Sequence, residues 1–272
     1  MPRSIMNRRQ VLARTAAVAG GAMAGGVVLA GGSHPAALAA ARPRIYTRAE
    51  WGAWPPDYPA QIINKPDHLV VHHTASSNVT DYSLSQAYRL SRWIQDLHQL
   101  ENGWGDTGNQ LTISRGGYIM EGRNRTLLAL GQARNVFGVQ TANHNSHTLG
   151  IENEGIYVNA TPTQRLWNSL VATLAWLCDV YDLDPHASIV GHRDYVATQC
   201  PGDVFYRMLP DLRDDVAAVL DGGQVLRRTT RPTAPTRSGA SGPAAPLDPP
   251  LDHGPALGPG ESHLRSTRHI SR

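Results

Sequence analysis

Residues 148–181 read TLGIENEGIYVNATPTQRLWNSLVATLAWLCDVY, and two different periods meet within them. Thr148 to Asn153 is short, apolar and β-branched, the composition of a strand. Thr161-Pro162-Thr163-Gln164 then offers an N-cap, a proline at the first helical position and a glutamine at the third. Leu166, Leu170, Val171, Leu174, Leu177, Cys178 and Tyr181 follow at helical spacing. This places Cys178 in a core, not in a ligand set.

The same alternation of elements extends outward. Ser83-Leu84-Ser85-Gln86 has capping-box form, and Leu84, Ala87, Leu90, Ile94 and Leu97 continue it as a helix that should stop near Asn102-Gly103. Strands are predicted over 68–72, 111–114, 118–121 and 189–190, with Ser114-Arg115-Gly116-Gly117 as a hairpin connection. A last helical segment, interrupted at Pro210, is expected over 204–220. Strands interspersed with helices, plus one hairpin, predict an α/β fold: a single domain with a central mixed β-sheet flanked by helices.

Both ends of the 272-residue chain read differently. Asn7-Arg8-Arg9-Gln10 precedes an apolar, glycine-containing stretch from Val11 to Leu29, and Ala37-Leu38-Ala39 supplies small residues of the kind a signal peptidase prefers. Residues 1–40 resemble a twin-arginine-type signal peptide, which implies a secreted, cell-wall-associated protein with no stable membrane anchor. Residues 223–272 carry eight prolines, scattered arginines and no Phe, Tyr or Trp, a composition expected to stay disordered. The folded domain is therefore placed at 42–222. A formal charge of +3 gives no indication of nucleic-acid binding and suits weak attraction to an anionic wall. Two cysteines provide no disulfide framework, and nothing suggests an oligomer interface, so a monomer is expected.

Three positions could carry chemistry. Val70-Val71-His72-His73-Thr74 ends one predicted strand, Gly191-His192-Arg193-Asp194 follows another, and Cys200-Pro201-Gly202 comes eight residues after His192. Two histidines and a cysteine satisfy the needs of catalytic zinc, which takes three protein ligands and leaves a fourth position open. Strand alternation sends His72 and His73 to opposite faces, so only one of them can join such a set.

These segments, with Glu50-Trp51-Gly52, Gly103-Trp104-Gly105-Asp106-Thr107-Gly108 and Thr198-Gln199-Cys200-Pro201-Gly202-Asp203, resemble the superfamily of peptidoglycan recognition proteins and N-acetylmuramoyl-L-alanine amidases (amidase type 2). The resemblance runs from about Glu50 to Val216 and implies a zinc cleft at the sheet edge. It implies His72, His192 and Cys200 as ligands of Zn²⁺, and Thr198 as a catalytic residue near the metal. One departure stands out: Asn109 occupies the position where recognition-protein relatives carry a tyrosine, and asparagine has no proton to exchange near neutral pH. Leu149-Gly150-Ile151-Glu152-Asn153-Glu154-Gly155 resembles the strand on which bacterial anhydro-muramyl amidases of the same superfamily carry their base. Glu152 is the matching position, with Glu154, on the same strand face, as its rival.

The implied activity is secreted, zinc-dependent hydrolysis of the bond between N-acetylmuramic acid and L-alanine of peptidoglycan, with a muramyl peptide as the partner. Glu152 would take a proton from water and return it to the departing amine, while Thr198 would donate to the oxyanion. Trp104, Arg115 and Asn145 are candidate cleft residues, Trp104 being equally suited to the core. The alternative, favoured by Asn109, is a non-catalytic peptidoglycan-binding module using the same groove.

Overall fold

A computed structural model describes residues 40–222 and 255–264. In chain order the elements begin with β1 (Ile45–Tyr46), α1 (Arg48–Trp51), β2 (Ile62–Ile63), β3 (His68–His73) and α2 (Leu84–Gln95). They continue with β4 (Leu111–Ile113), β5 (Ile119–Glu121), α3 (Thr126–Leu130), β6 (Asn135–Val136) and β7 (Thr148–Asn153). The last are α4 (Gln164–Tyr181), α5 (Pro185–Ser188), β8 (Ile189–Gly191), α6 (Asp203–Arg207) and α7 (Leu209–Leu220). Six strands form one mixed sheet in the order β1-β5-β4-β7-β3-β8, while β2 and β6 pair separately. β3 runs parallel to both β7 and β8, and the β4–β5 hairpin is antiparallel. This is the expected α/β architecture.

Strand alternation divides the sheet's two faces. Leu69 and Val71 of β3, Leu111 and Ile113 of β4, and Leu149 and Ile151 of β7 pack with α4 and α7 into the main core. From α4 alone, Leu166, Leu170, Leu174 and Leu177 are fully buried there; each such side chain contributes about 1.5–3 kcal/mol. Val70 and His72, and Gly150 and Glu152, therefore point the other way. The register sets His72 beside Glu152 and Thr112 on the other flank of Glu152.

Three expectations need adjustment. The long helix starts two residues later than its first capping signal: Thr163, not Thr161, is the N-cap, because its hydroxyl accepts the Leu166 amide and donates to the Arg115 carbonyl. The helix from Leu84 does reach Asn102, but its last turn, Asp96–Glu101, widens to π-helical hydrogen bonding. Composition suggested an unstructured tail, yet Pro255–Leu264 lies against the domain and its Pro259–Leu264 portion forms a 3₁₀ turn. Hydrogen bonds to the Glu261 carboxylate and to the Pro255 and Ala256 carbonyls hold it, and hydropathy does not signal such contacts. The signal peptide read at 1–40, up to Ala39, lies outside the described residues, as do 223–254 and 265–272. No helix among the described residues is long and apolar enough to cross a membrane.

Candidate metal centre and cleft

Parallel pairing brings the site's three parts together at the carboxyl ends of β7, β3 and β8, next to the sheet edge. His72 is the penultimate residue of β3. His192 opens a 3₁₀ turn immediately after β8, and Asp194 ties that turn back by accepting the Gly191 amide at 2.8 Å. Cys200 sits on the following loop, where Thr198 Oγ1 accepts its amide at 3.1 Å. Arg193 clamps the loop by donating to the carbonyls of Gln199 and Cys200 while pairing with Asp203 at 2.8 Å.

The result is a compact, buried donor set. One ligand atom from each of His72, His192 and Cys200 lies within 4.8 Å of the others. The two imidazoles are 4.4 Å apart between centroids, and His72 Nδ1 is 3.7 Å from Cys200 Sγ. The other nitrogen of His72, Nε2, lies 2.6 Å from Gln140 Oε1. A carboxamide oxygen can only accept, so Nε2 carries the proton and the Nδ1 lone pair faces Cys200. Two imidazoles, a thiol and an outer hydrogen bond that fixes a ring's tautomer are the donor chemistry that zinc favours. The residues present fit that ion. Burial pushes the Cys200 thiol well up, and the nearby Glu152 carboxyl adds to the effect, so a cation is what would hold the thiolate there.

The cleft over this set is lined by Glu152, Gln140, Trp104 and Ala256, among others. Glu152 is almost fully enclosed, and its Oε2 makes no hydrogen bond among the described residues. Burial alone pushes its carboxyl up to about 8. Trp104 lines the same wall, its ring 4.5 Å from that of His98. Thr198 reaches the centre through the Cys200 backbone.

Other residues singled out in the sequence go elsewhere. His73 faces away, its Nδ1 accepting the Tyr157 amide at 3.3 Å. Both oxygens of Glu154 are engaged, Oε1 by Gln86 and Oε2 by the Arg115 amide, each at 2.7 Å. The Arg115 side chain reaches Val79 and Asn78. Asn109 turns inward, donating to the Leu111 carbonyl and to Thr112 Oγ1. Asn145 is buried below the rim, where its Oδ1 accepts the amides of Gln140 and Thr141. Sequence reading missed Gln140 and Ala256; the first lies in a loop with no period, the second in a segment with no apolar pattern. A second group, Asp67, His68 and His147, sits at the opposite ends of β3 and β7, where one Asp67 oxygen is 2.7 Å from a nitrogen of each histidine.

Comparison with known proteins follows the same residues. The model of the family described as N-acetylmuramoyl-L-alanine amidase matches residues 63–203. A human N-acetylmuramoyl-L-alanine amidase is 33% identical over 172 residues, covering 61% of this chain and 28% of the human protein. Peptidoglycan-recognition protein LB of Drosophila melanogaster is 28% identical over 159 residues, covering 58% of this chain and 64% of that one. The chain thus spans less than two thirds of the length of either relative. Among solved structures, a variant of Drosophila PGRP-LB in complex with tracheal cytotoxin superposes with a TM-score of 0.54 at 26% identity, covering 61% of this chain and 92% of that one.

Proposed function

Because the chain belongs to the N-acetylmuramoyl-L-alanine amidase family, we propose that it is a zinc-dependent hydrolase cutting the amide between N-acetylmuramic acid and L-alanine of peptidoglycan stem peptides. One observation carries the reading: the convergence of His72, His192 and Cys200 in a cleft whose wall holds the unbonded Glu152 carboxyl. The muramyl-peptide substrate is supported by the tracheal cytotoxin complex of the Drosophila relative. Export through residues 1–40 and a cell-wall location belong to the same proposal.

When bound, zinc supplies Lewis acidity and lowers the pKa of a coordinated water toward neutrality. The chain's own groups do the rest. His72, oriented by Gln140, joins His192 and Cys200 in holding the ion. Glu152 accepts the proton of the attacking water and delivers it to the leaving amine. Burial raises its carboxyl to about 8, and a cation held by the neighbouring ligands would act in the opposite sense, favouring the ionised form that a base requires. Thr198 is assigned the donor to the developing oxyanion. A second reading, recognition without hydrolysis, is favoured by Asn109, whose amide is committed to Leu111 and Thr112 and offers no proton.

The test is incubation of the zinc-loaded protein with muramyl-pentapeptide and mass spectrometry of the released stem peptide, alongside a chelated sample and a Glu152→Gln variant. Hydrolysis that stops with chelator, returns with zinc and falls about 10²–10⁴-fold in Glu152→Gln is expected. Binding without release in the zinc-loaded protein would hand the reading to the recognition module.

A further inference from the structure

The segment Pro255–Leu264 ends against the rim of the cleft, and a single carboxylate seats it. Glu261 is buried, and its Oε2 accepts from the Asn143 amide at 2.9 Å, Asn145 Nδ2 at 3.0 Å and the Gly258 amide at 2.8 Å. Two backbone contacts flank this point. The Ala142 amide donates to the Pro255 carbonyl at 3.0 Å, and Asn145 Nδ2 donates to the Ala256 carbonyl at 2.8 Å. At Gly258 the two surfaces meet without a gap: a Cβ there would come 1.7 Å from Asn143 Oδ1. Ala256 consequently forms part of the same wall as His72, Glu152 and His192. The rim that receives the segment is also the loop that orients the metal ligand, since Asn145 holds the Gln140 and Thr141 amides and Gln140 holds His72.

We infer that Pro255–Leu264 is the chain's own occupant of the cleft rim, seated by Glu261, and that it competes there with the muramyl peptide. The inference rests on the peptidoglycan reading for the identity of the competitor. Its physical basis is tethering. A segment carried on the same chain acts at an effective concentration in the millimolar range, so a contact of modest intrinsic strength stays occupied. A ligand that needs the rim empty then binds with an affinity reduced by the fraction of molecules in which the segment is away. Two of the carboxylate's three donors, the Asn143 amide and the buried Asn145 Nδ2, belong to the rim, and the third, the Gly258 amide, folds the segment's own turn around Glu261.

The test uses the full zinc-loaded chain as wild type, Glu261→Gln and Gly258→Val, the second variant unseating the segment by steric contact. Hydrogen exchange of the Ala142 and Asn143 amides, which donate across to the segment, reports whether the segment is docked. Binding and turnover of muramyl-pentapeptide report on the cleft. Saturating muramyl-pentapeptide should speed exchange at both amides in the wild type. Both variants should lower the peptide's KM or Kd roughly three- to tenfold with kcat unchanged. Slower exchange with the peptide bound, or weaker peptide binding in the variants, would show that the segment builds the substrate site and would overturn competition. Unchanged exchange and affinity would overturn it as well. If no form binds the peptide, the peptidoglycan reading fails and the competition with it, while faster exchange in ligand-free Glu261→Gln still decides whether Glu261 is the seat.

Discussion

A histidine binds a metal through one nitrogen more tightly when a partner settles the proton on the other, and for His72, the proposed ligand, Gln140 is that partner. Its amide is not free to flip: Nε2 donates to Thr148 Oγ1 at 2.7 Å while Oε1 receives the Thr141 hydroxyl and faces His72 Nε2, each at 2.6 Å. Thr148 starts the strand that carries Glu152, so the proposed metal ligand and the proposed base are referenced to the same element. Outer-shell partners of this kind typically account for 10–100-fold in metal affinity. Gln140→Leu should therefore weaken zinc binding by about that factor, as read by competition against a chromophoric chelator. Gln140→Glu, which keeps an acceptor in place, should retain most of the affinity. Equal zinc affinity in wild type and Gln140→Leu would remove Gln140 from the site.

At the scale of elements, the third proposed ligand, Cys200, depends on a loop, and that loop depends on Gly202. Its φ of +97° with ψ of 146° lies where side chains are strongly disfavoured. A Cβ at this position would stand 2.4 Å from the Tyr157 carbonyl carbon and 2.6 Å from its oxygen, and backbone atoms cannot step aside cheaply. Gly202→Ala should thus cost at least about 1–3 kcal/mol and displace Cys200, lowering zinc affinity together with the melting temperature. Gly222→Ala is the control: φ is +85° but nothing lies within 4 Å of the added Cβ, so strain acts there without a clash. Matching losses of zinc affinity in the two variants would refute the dependence on close approach. The elements themselves were legible in the sequence wherever period and end signals agreed, as in α4 and β7. Legibility failed where tertiary contacts chose among equivalent signals. Thr161 and Thr163 both suit an N-cap, and the Arg115 carbonyl decides for the second. Val70 and Val71 are both fully buried, so alternation could exclude one histidine of the pair without saying which. Likewise Glu152 and Glu154 share a strand face in the sequence, and only Gln86 and the Arg115 amide, both distant along the chain, separate a bonded carboxylate from an unbonded one.

For the whole molecule, enclosing Glu152 couples the centre to stability. Its carboxyl is raised by burial from an ordinary 4.5 to about 8 in the folded, metal-free chain. An acid whose folded pKa is raised binds its proton more tightly when folded than when unfolded. Its contribution is intact below about 4.5 and is withdrawn as pH rises from there to about 8. One pKa unit corresponds to about 1.4 kcal/mol, so the withdrawal amounts to a few kcal/mol. The measurement is the difference between melting temperatures of metal-free wild type and metal-free Glu152→Gln across that interval, because titrating groups distant from Glu152 are common to both and cancel. Relative to the variant, the wild type should lose stability steadily from pH 5 to pH 8, and below about pH 4.5 the difference should become constant. Adding zinc introduces a positive charge beside the carboxyl, lowers its pKa and should flatten the curve. A difference that does not change with pH in the metal-free protein would mean that Glu152 keeps an ordinary carboxyl in the cleft, and that no cation is needed to prepare it as a base.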